Sequence, residues 1–138
     1  MIYKFYDTCS LLLNAKHLFD EENTRTVISS ITLQELEDIK TSSTKDADTK
    51  YAARQLLHIL QEHSKDYDIH IFKDEMLIPI MGKGFTHINN DLRILACAFN
   101  YDYYIHPDET VFITNDLALQ AIANCFFGED SIIAIEEN

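Results

Sequence analysis

The feature that most constrains this chain is an alternation of period. Short β-branched and aromatic runs, in which every second side chain faces one way, repeatedly give way to stretches whose apolar residues recur every three or four positions. Residues 2–6 form the first run, and beyond Asp7 and Thr8 the residues Leu11, Leu12, Leu13, Ala15 and Leu18 follow at helical density. Residues 26–30 read as a second strand and 31–39 as a helix. The polar stretch 40–48 reads as a loop, and 49–63 as a helix carrying Ala52, Ala53, Leu56, Leu57 and Leu60 on one stripe. A third strand is expected over 69–72, an irregular connection over 74–87 with Pro79, Gly82 and Gly84, and a strongly amphipathic helix over 89–101. Residues 111–114 read as a fourth strand, 117–127 as a helix stopped by Gly128, and 131–135 as a closing strand.

Strands alternating with helices require right-handed crossovers, and therefore a three-layer α/β/α sandwich around a mainly parallel central sheet. At 138 residues the chain fits one domain spanning residues 1–138. Ligands in such folds sit outside the carboxyl ends of the strands, so the residues there are the ones to inspect.

Carboxylates stand at those ends. Asp7 directly follows the first strand and Asp116 the fourth, each at the mouth of a helix. Asp91 opens its helix, and Ile94, Leu95 and Ala98, three, four and seven residues on, make the apolar stripe that it heads. Glu35 lies between Ile31 and Ile39 at intervals of four, on an otherwise apolar face, whereas Glu37 and Asp38 can look outward. Each acid has a plainer explanation. Aspartate at a helix start is a favoured cap, which applies to Asp7 and Asp116 and, with Asn90, to Asp91. Glu35 facing inward needs a partner, for which Arg54 and Arg93 are candidates. Taken together, four like charges crowded at one edge would raise one another's pKa unless a cation neutralised them. All-oxygen ligands favour Mg²⁺ or Mn²⁺, one or two ions, over zinc.

The net charge of -12 argues against a protein that grips nucleic acid mainly by counterion release. Most of that charge reads as a solvated surface, including Asp20, Glu21, Glu22 and the tail acids Glu136 and Glu137. Apolar stretches fall well short of the ~20 residues needed to span a bilayer. The N-terminus lacks the pattern of a signal peptide, so a cytoplasmic location is expected. Cys9, Cys97 and Cys125 form no CxxC pair and read as reduced filler, the last two inside apolar helical patterns. The six histidines, His106 among them, show no zinc-binding spacing, and no serine sits in a GxSxG setting. The cluster Tyr101, Tyr103, Tyr104 reads as core or subunit packing more readily than as a base-stacking platform.

Five stretches together resemble the PIN-domain nuclease family and, within it, the PhoH-like type, in which a PIN domain precedes an ATPase domain. They are FYDTCSLL at 5–12, ISSITLQELEDIK at 28–40, TKYAARQLLHIL at 49–60, NNDLRILACAFN at 89–100 and VFITNDLALQAIA at 111–123. The resemblance implies that Asp7, Glu35, Asp91 and Asp116 are catalytic and bind one or two divalent ions, with single-stranded RNA as substrate. It implies substrate-facing roles for Thr8, Thr114 and Arg93, and it alone suggests a homodimer. Cys9 stands where the family usually has Ser or Asn. Asn115 occupies a substrate-side position where the PhoH-like group carries Lys or Arg, which removes one phosphate contact. The ATPase domain's glycine-rich loop is absent from these residues, so any ATPase or antitoxin partner would be a separate chain or segment. The reading that follows is a metal-dependent endoribonuclease, acting alone or as the toxin of a toxin–antitoxin pair. Two rivals are a catalytically silent PIN module that binds RNA or protein, and a receiver-like phosphate acceptor. The receiver expects adjacent acids after the first strand, and only Asp7 is present there.

Overall fold

The computed structural model describes residues 1–105 and 108–135; His106 and the tail acids Glu136 and Glu137 lie outside them. Strands β1 (Ile2–Tyr6), β2 (Thr24–Ser29), β3 (Tyr67–His70), β4 (Glu109–Ile113) and β5 (Ile132–Ile133) form one sheet in the order β3-β2-β1-β4-β5. Every pairing in it is parallel. The chain grows outward from β1 to β2 and β3, then returns to β4 on the other side of β1, which places a topological switch point between β1 and β4.

Alternation along the strands sorts the sheet residues into two cores. Phe5, Val27 and Phe112 are in register and pack under α5 (Asn90–Asn100), α4 (Ile78–Gly82) and α6 (Leu117–Ala123), where Leu95 and Ile94 are fully buried. Tyr6, Ile28, Val111 and Ile113 face the opposite side and meet Leu11, Leu36, Leu56 and Leu60 of α1 (Thr8–Leu13), α2 (Ser30–Thr41) and α3 (Ala47–Glu62). The three layers expected from the sequence are these. Near-continuous apolar runs such as VFI in β4 mark strands buried on both faces.

The ends of elements depart from the sequence reading for identifiable reasons. β3 lies two residues earlier than expected, because Ile69 and Ile71 are exposed at the sheet edge and their alternation with His70 reports no buried face. The chain has already left the sheet at Phe72, whose N–H donates to Ser30 Oγ at 2.9 Å. The stretch expected to be irregular contains a 3₁₀ turn, Asp74–Leu77, and then α4, with Pro79 near its start, where a missing N–H costs nothing. Helix α6 stops at Ala123, short of Gly128. The apolar pattern runs on because the following turn buries Phe127 against the same core, whereas Cys125 is exposed and not core filler. α5 continues as a π-helical turn, Tyr101–Ile105, which buries Tyr101 and leaves Tyr103 and Tyr104 exposed.

Leu95 ties α5 to the sheet immediately behind Asp91. Replacing Leu95 by Ala should cost about 2–5 kcal/mol, the usual penalty for a fully buried leucine, read as a lower urea midpoint with unchanged slope. A loss below about 1 kcal/mol would mean that this core does not anchor α5.

Candidate active site

The switch point is where two of the acids stand. β1 and β4 end side by side, Tyr6 opposite Ile113, and the Asp7 N–H extends the ladder by donating to the Ile113 carbonyl at 3.0 Å. Asp7 is buried, 5% exposed, and both carboxylate oxygens are engaged. Oδ1 accepts the Ser10 N–H at 2.8 Å, capping α1, and Oδ2 accepts the Thr114 hydroxyl at 2.5 Å. The same Thr114 Oγ1 accepts the Asp116 N–H at 3.1 Å. One buried hydroxyl therefore ties the loop after β4 to the acid after β1. Asp116 caps α6 by accepting the Leu119 N–H at 3.0 Å, with its side chain at the surface.

Glu35 reaches the same edge from α2. Its Oε1 accepts the Thr8 hydroxyl at 2.8 Å, so the residue after Asp7 orients the second acid. Neither arginine considered as its partner is used: Arg93 Nη1 donates to Asn90 Oδ1 at 2.9 Å, and Arg54 lines a separate hollow on α3. Among the described residues Glu35 makes no ion pair.

Asp91, in the first turn of α5, links the four. Its carboxyl is pushed above the usual carboxylate range by partial burial first, and then by the charges of Asp7, Glu35 and Asp116. Acids from three other stretches of the chain thus act on Asp91. Helix α5 is capped by Asn89, which accepts the Leu92 N–H at 2.9 Å, so Asp91 and Asn90 are free of the capping role weighed for them. For Asp116 the cap occupies one oxygen of two, whereas Asp7 caps α1 with one oxygen and accepts the Thr114 hydroxyl with the other. The Cys9 thiol is also pushed up, by burial and then by Asp7, Asp91 and Glu35, with Lys45 opposing.

The donor set is all oxygen, which suits Mg²⁺ or Mn²⁺. Among the described residues, no three His, Cys, Asp or Glu side chains close around a common point tightly enough to hold an ion. The residues fit a hard divalent ion by chemistry and by mutual charge.

The substrate-side residues are placed less uniformly. Thr8 and Thr114 are buried, 6% and 0% exposed, and their hydroxyls donate to Glu35 and Asp7, so both position acids. Asn115 fastens the end of the chain: Oδ1 accepts the Ile135 N–H at 2.7 Å and Nδ2 donates to the Ile135 carbonyl at 3.1 Å. Both ends of its amide are thus tied to the backbone of Ile135, leaving one N–H and one lone pair. Arg93 is half-buried beside the third acid with Asn90 as its only side-chain partner among the described residues.

A cleft of about 300 Å³ opens beside Asp91 and Asp116, with Gly84, Phe85, Thr86 and His87 as its lip. Sequence reasoning passed over that lip. Its one signal was Gly84, which adopts φ 96°, a left-handed conformation that lets the chain turn back toward α5.

A family model described as PIN domain matches residues 5–126. The chain belongs to the PIN domain family. A chain in the crystal structure of VapBC2 from Rickettsia felis, bound to a DNA fragment from their promoter, shares this fold. It aligns with a TM-score of 0.55 over 98% of each chain at 20% identity. No curated protein sequence matches significantly.

The raised Asp91 carboxyl of this PIN domain has a definite sign. Stability that is present below the ordinary carboxylate value is lost as pH rises through the raised value, because the folded state resists ionisation. Asp91→Asn removes that loss. In EDTA at pH 7 the variant should melt no lower than wild type and about 1–4 °C higher, a small shift because Asp91 also favours the start of α5. The advantage should shrink as pH falls toward the ordinary carboxylate value. A variant that melts several degrees lower would show that the four acids do not repel at one point.

Proposed function

We propose that this PIN domain is a divalent-metal-dependent endoribonuclease that hydrolyses phosphodiester bonds in single-stranded RNA. Asp7, Glu35, Asp91 and Asp116 serve as the ligands of one or two Mg²⁺ or Mn²⁺ ions. The observation that carries the reading is the placement of Asp91 at the carboxyl edge of a PIN fold, its carboxyl pushed up by partial burial first and then by the charges of Asp7, Glu35 and Asp116.

The chain's own groups divide the work. Thr114 and the Ser10 N–H hold both Asp7 oxygens, and Thr8 holds Glu35, so two of the acids are fixed before substrate arrives. Asp91 and Asp116 face the open cleft, where an incoming phosphate group would lie. A bound divalent ion supplies a lowered pKa for water and compensation of phosphate charge. Hydrolysis would place the hydroxyl of a water on phosphorus in line and break the bond to the leaving oxygen, with water's proton passing to that oxygen through solvent, and no covalent enzyme intermediate would form. The Cys9 thiol, kept protonated by burial and three acids, is unsuited to act as nucleophile. The resemblance to the PhoH-like type carries the expectation of an ATPase partner. The likeness to a chain of VapBC2 favours a second reading, a toxin whose antitoxin covers the acidic cleft. A homodimer and a cytoplasmic location belong to the same proposal.

Cleavage of end-labelled single-stranded RNA by the purified chain is expected with Mn²⁺ or Mg²⁺ and not in EDTA. Asp91→Asn should lower kcat on the order of 10²–10⁴-fold, the range lost when an essential catalytic group is removed. Wild-type protein inert toward varied RNAs with either ion would favour the silent module.

A further inference from the structure

The chain carries 23 acids against 11 basic residues, so most of its surface repels phosphate. We propose that one face of α3 is an exception: a phosphate-binding stripe that takes the backbone of single-stranded RNA beyond the acidic cleft. The inference rests on the nuclease reading and adds to it a substrate path that none of the four acids supplies.

Four of the 11 basic residues, Lys40, Lys45, Lys50 and Arg54, fall within residues 40–54. On α3, Lys50, Arg54 and His58 recur every four residues, which puts them along one side of the helix at about 6 Å per step. Gln61 continues that side, and Lys40 from the end of α2 faces it across a hollow of about 210 Å³ that Arg54, Leu57 and His58 also line. Lys45, just before α3, is close enough to Cys9 to oppose the pull of the acids there, so the row begins beside the carboxylate centre.

These cations are also free. Among the described residues Lys4, Arg25 and Lys40 are paired with Glu21, Asp68 and Glu37, whereas Lys45, Lys50 and Arg54 join no ion pair and make no side-chain hydrogen bond. Asp48 lies more than a quarter-turn from Lys50 and Arg54, whereas Asp46 caps α3 one turn before Lys50 and Glu62 continues the row one turn beyond His58; among the described residues neither of these two acids pairs with a basic side chain, so the phosphate contacts fall in the middle of the row. An arginine without a carboxylate, in a chain with two acids for every base, keeps its planar set of N–H donors for an oxyanion. The contacts available are to phosphate, so the path should be indifferent to base sequence.

The test uses the full chain carrying Asp91→Asn, with Mg²⁺, and reads fluorescence anisotropy of a labelled single-stranded RNA. Adding Lys50→Gln and Arg54→Gln should weaken binding about tenfold near 0.1 M salt. The slope of log K against log salt should fall by about 1.4, or about 0.7 for each lost phosphate contact. Lys16→Gln with Lys65→Gln changes net charge equally, in the segments that lead into β2 and β3 at the end of the sheet opposite the acids, and should leave both quantities near the parent values. Single-stranded DNA should lose affinity by the same factor as RNA. Equal losses in both double variants, no loss in either, or a loss confined to RNA would each overturn the stripe. In the otherwise wild-type chain, Lys50→Gln with Arg54→Gln should raise KM and leave kcat unchanged. A wild type that cleaves no RNA but shows the α3-specific binding loss would sink the nuclease reading and leave the stripe standing. Cleavage with unaltered binding and KM would do the reverse.

Discussion

A single buried hydroxyl holds the candidate site together. Thr114 donates to Asp7 Oδ2 and accepts the Asp116 N–H, and so joins the ends of β1 and β4 where the order of the sheet reverses. Without that bridge two carboxylates at adjacent strand ends would be free to part. With it, each acid still caps a helix and the pair keeps its spacing. Thr8 repeats the device one strand over by holding Glu35. The site is built from acids that repel, restrained by neutral donors whose own positions are fixed by burial.

That arrangement sets the terms on which a cation would bind. Restraint by Ser10, Thr8 and Thr114 leaves the acids near one another yet not closed around a point. Asp91 has no side-chain hydrogen bond among the described residues, and its carboxyl is pushed up by partial burial first and then by the charges of the other three. A divalent ion would relieve the repulsion and complete the closure in one step. On the proposed reading an acidic protein could handle an anionic substrate because charge at the centre would be met by the ion, and charge along the strand by the unpaired cations of α3.

Much of this was legible in the sequence, and the parts that were not share a cause. β1 and the three layers followed from period alone, because strands covered on both faces and helices covered on one leave opposite patterns. The four acids stood out in the sequence because each follows a strand or sits on or at the head of an apolar helical face. β3 was misplaced because its outward residues, Ile69 and Ile71, are apolar without being buried. The roles of Thr114, Thr8 and Asn115 were not legible, since a threonine or asparagine beside a turn has the same appearance whether it binds a substrate, an acid or a backbone amide. Only tertiary contacts 20 to 107 residues apart in sequence decide among these.

The central claim is that the four carboxylates form one centre that a divalent ion completes, and thermal unfolding with and without Mn²⁺ tests it most directly. The account predicts that saturating Mn²⁺ raises the melting temperature of the wild-type chain by several degrees over EDTA, as expected for a ligand that binds only the folded state. It predicts that Asp91→Asn largely abolishes the rise. Identical melting of the wild type in Mn²⁺ and in EDTA, or an equal rise in Asp91→Asn, would contradict it.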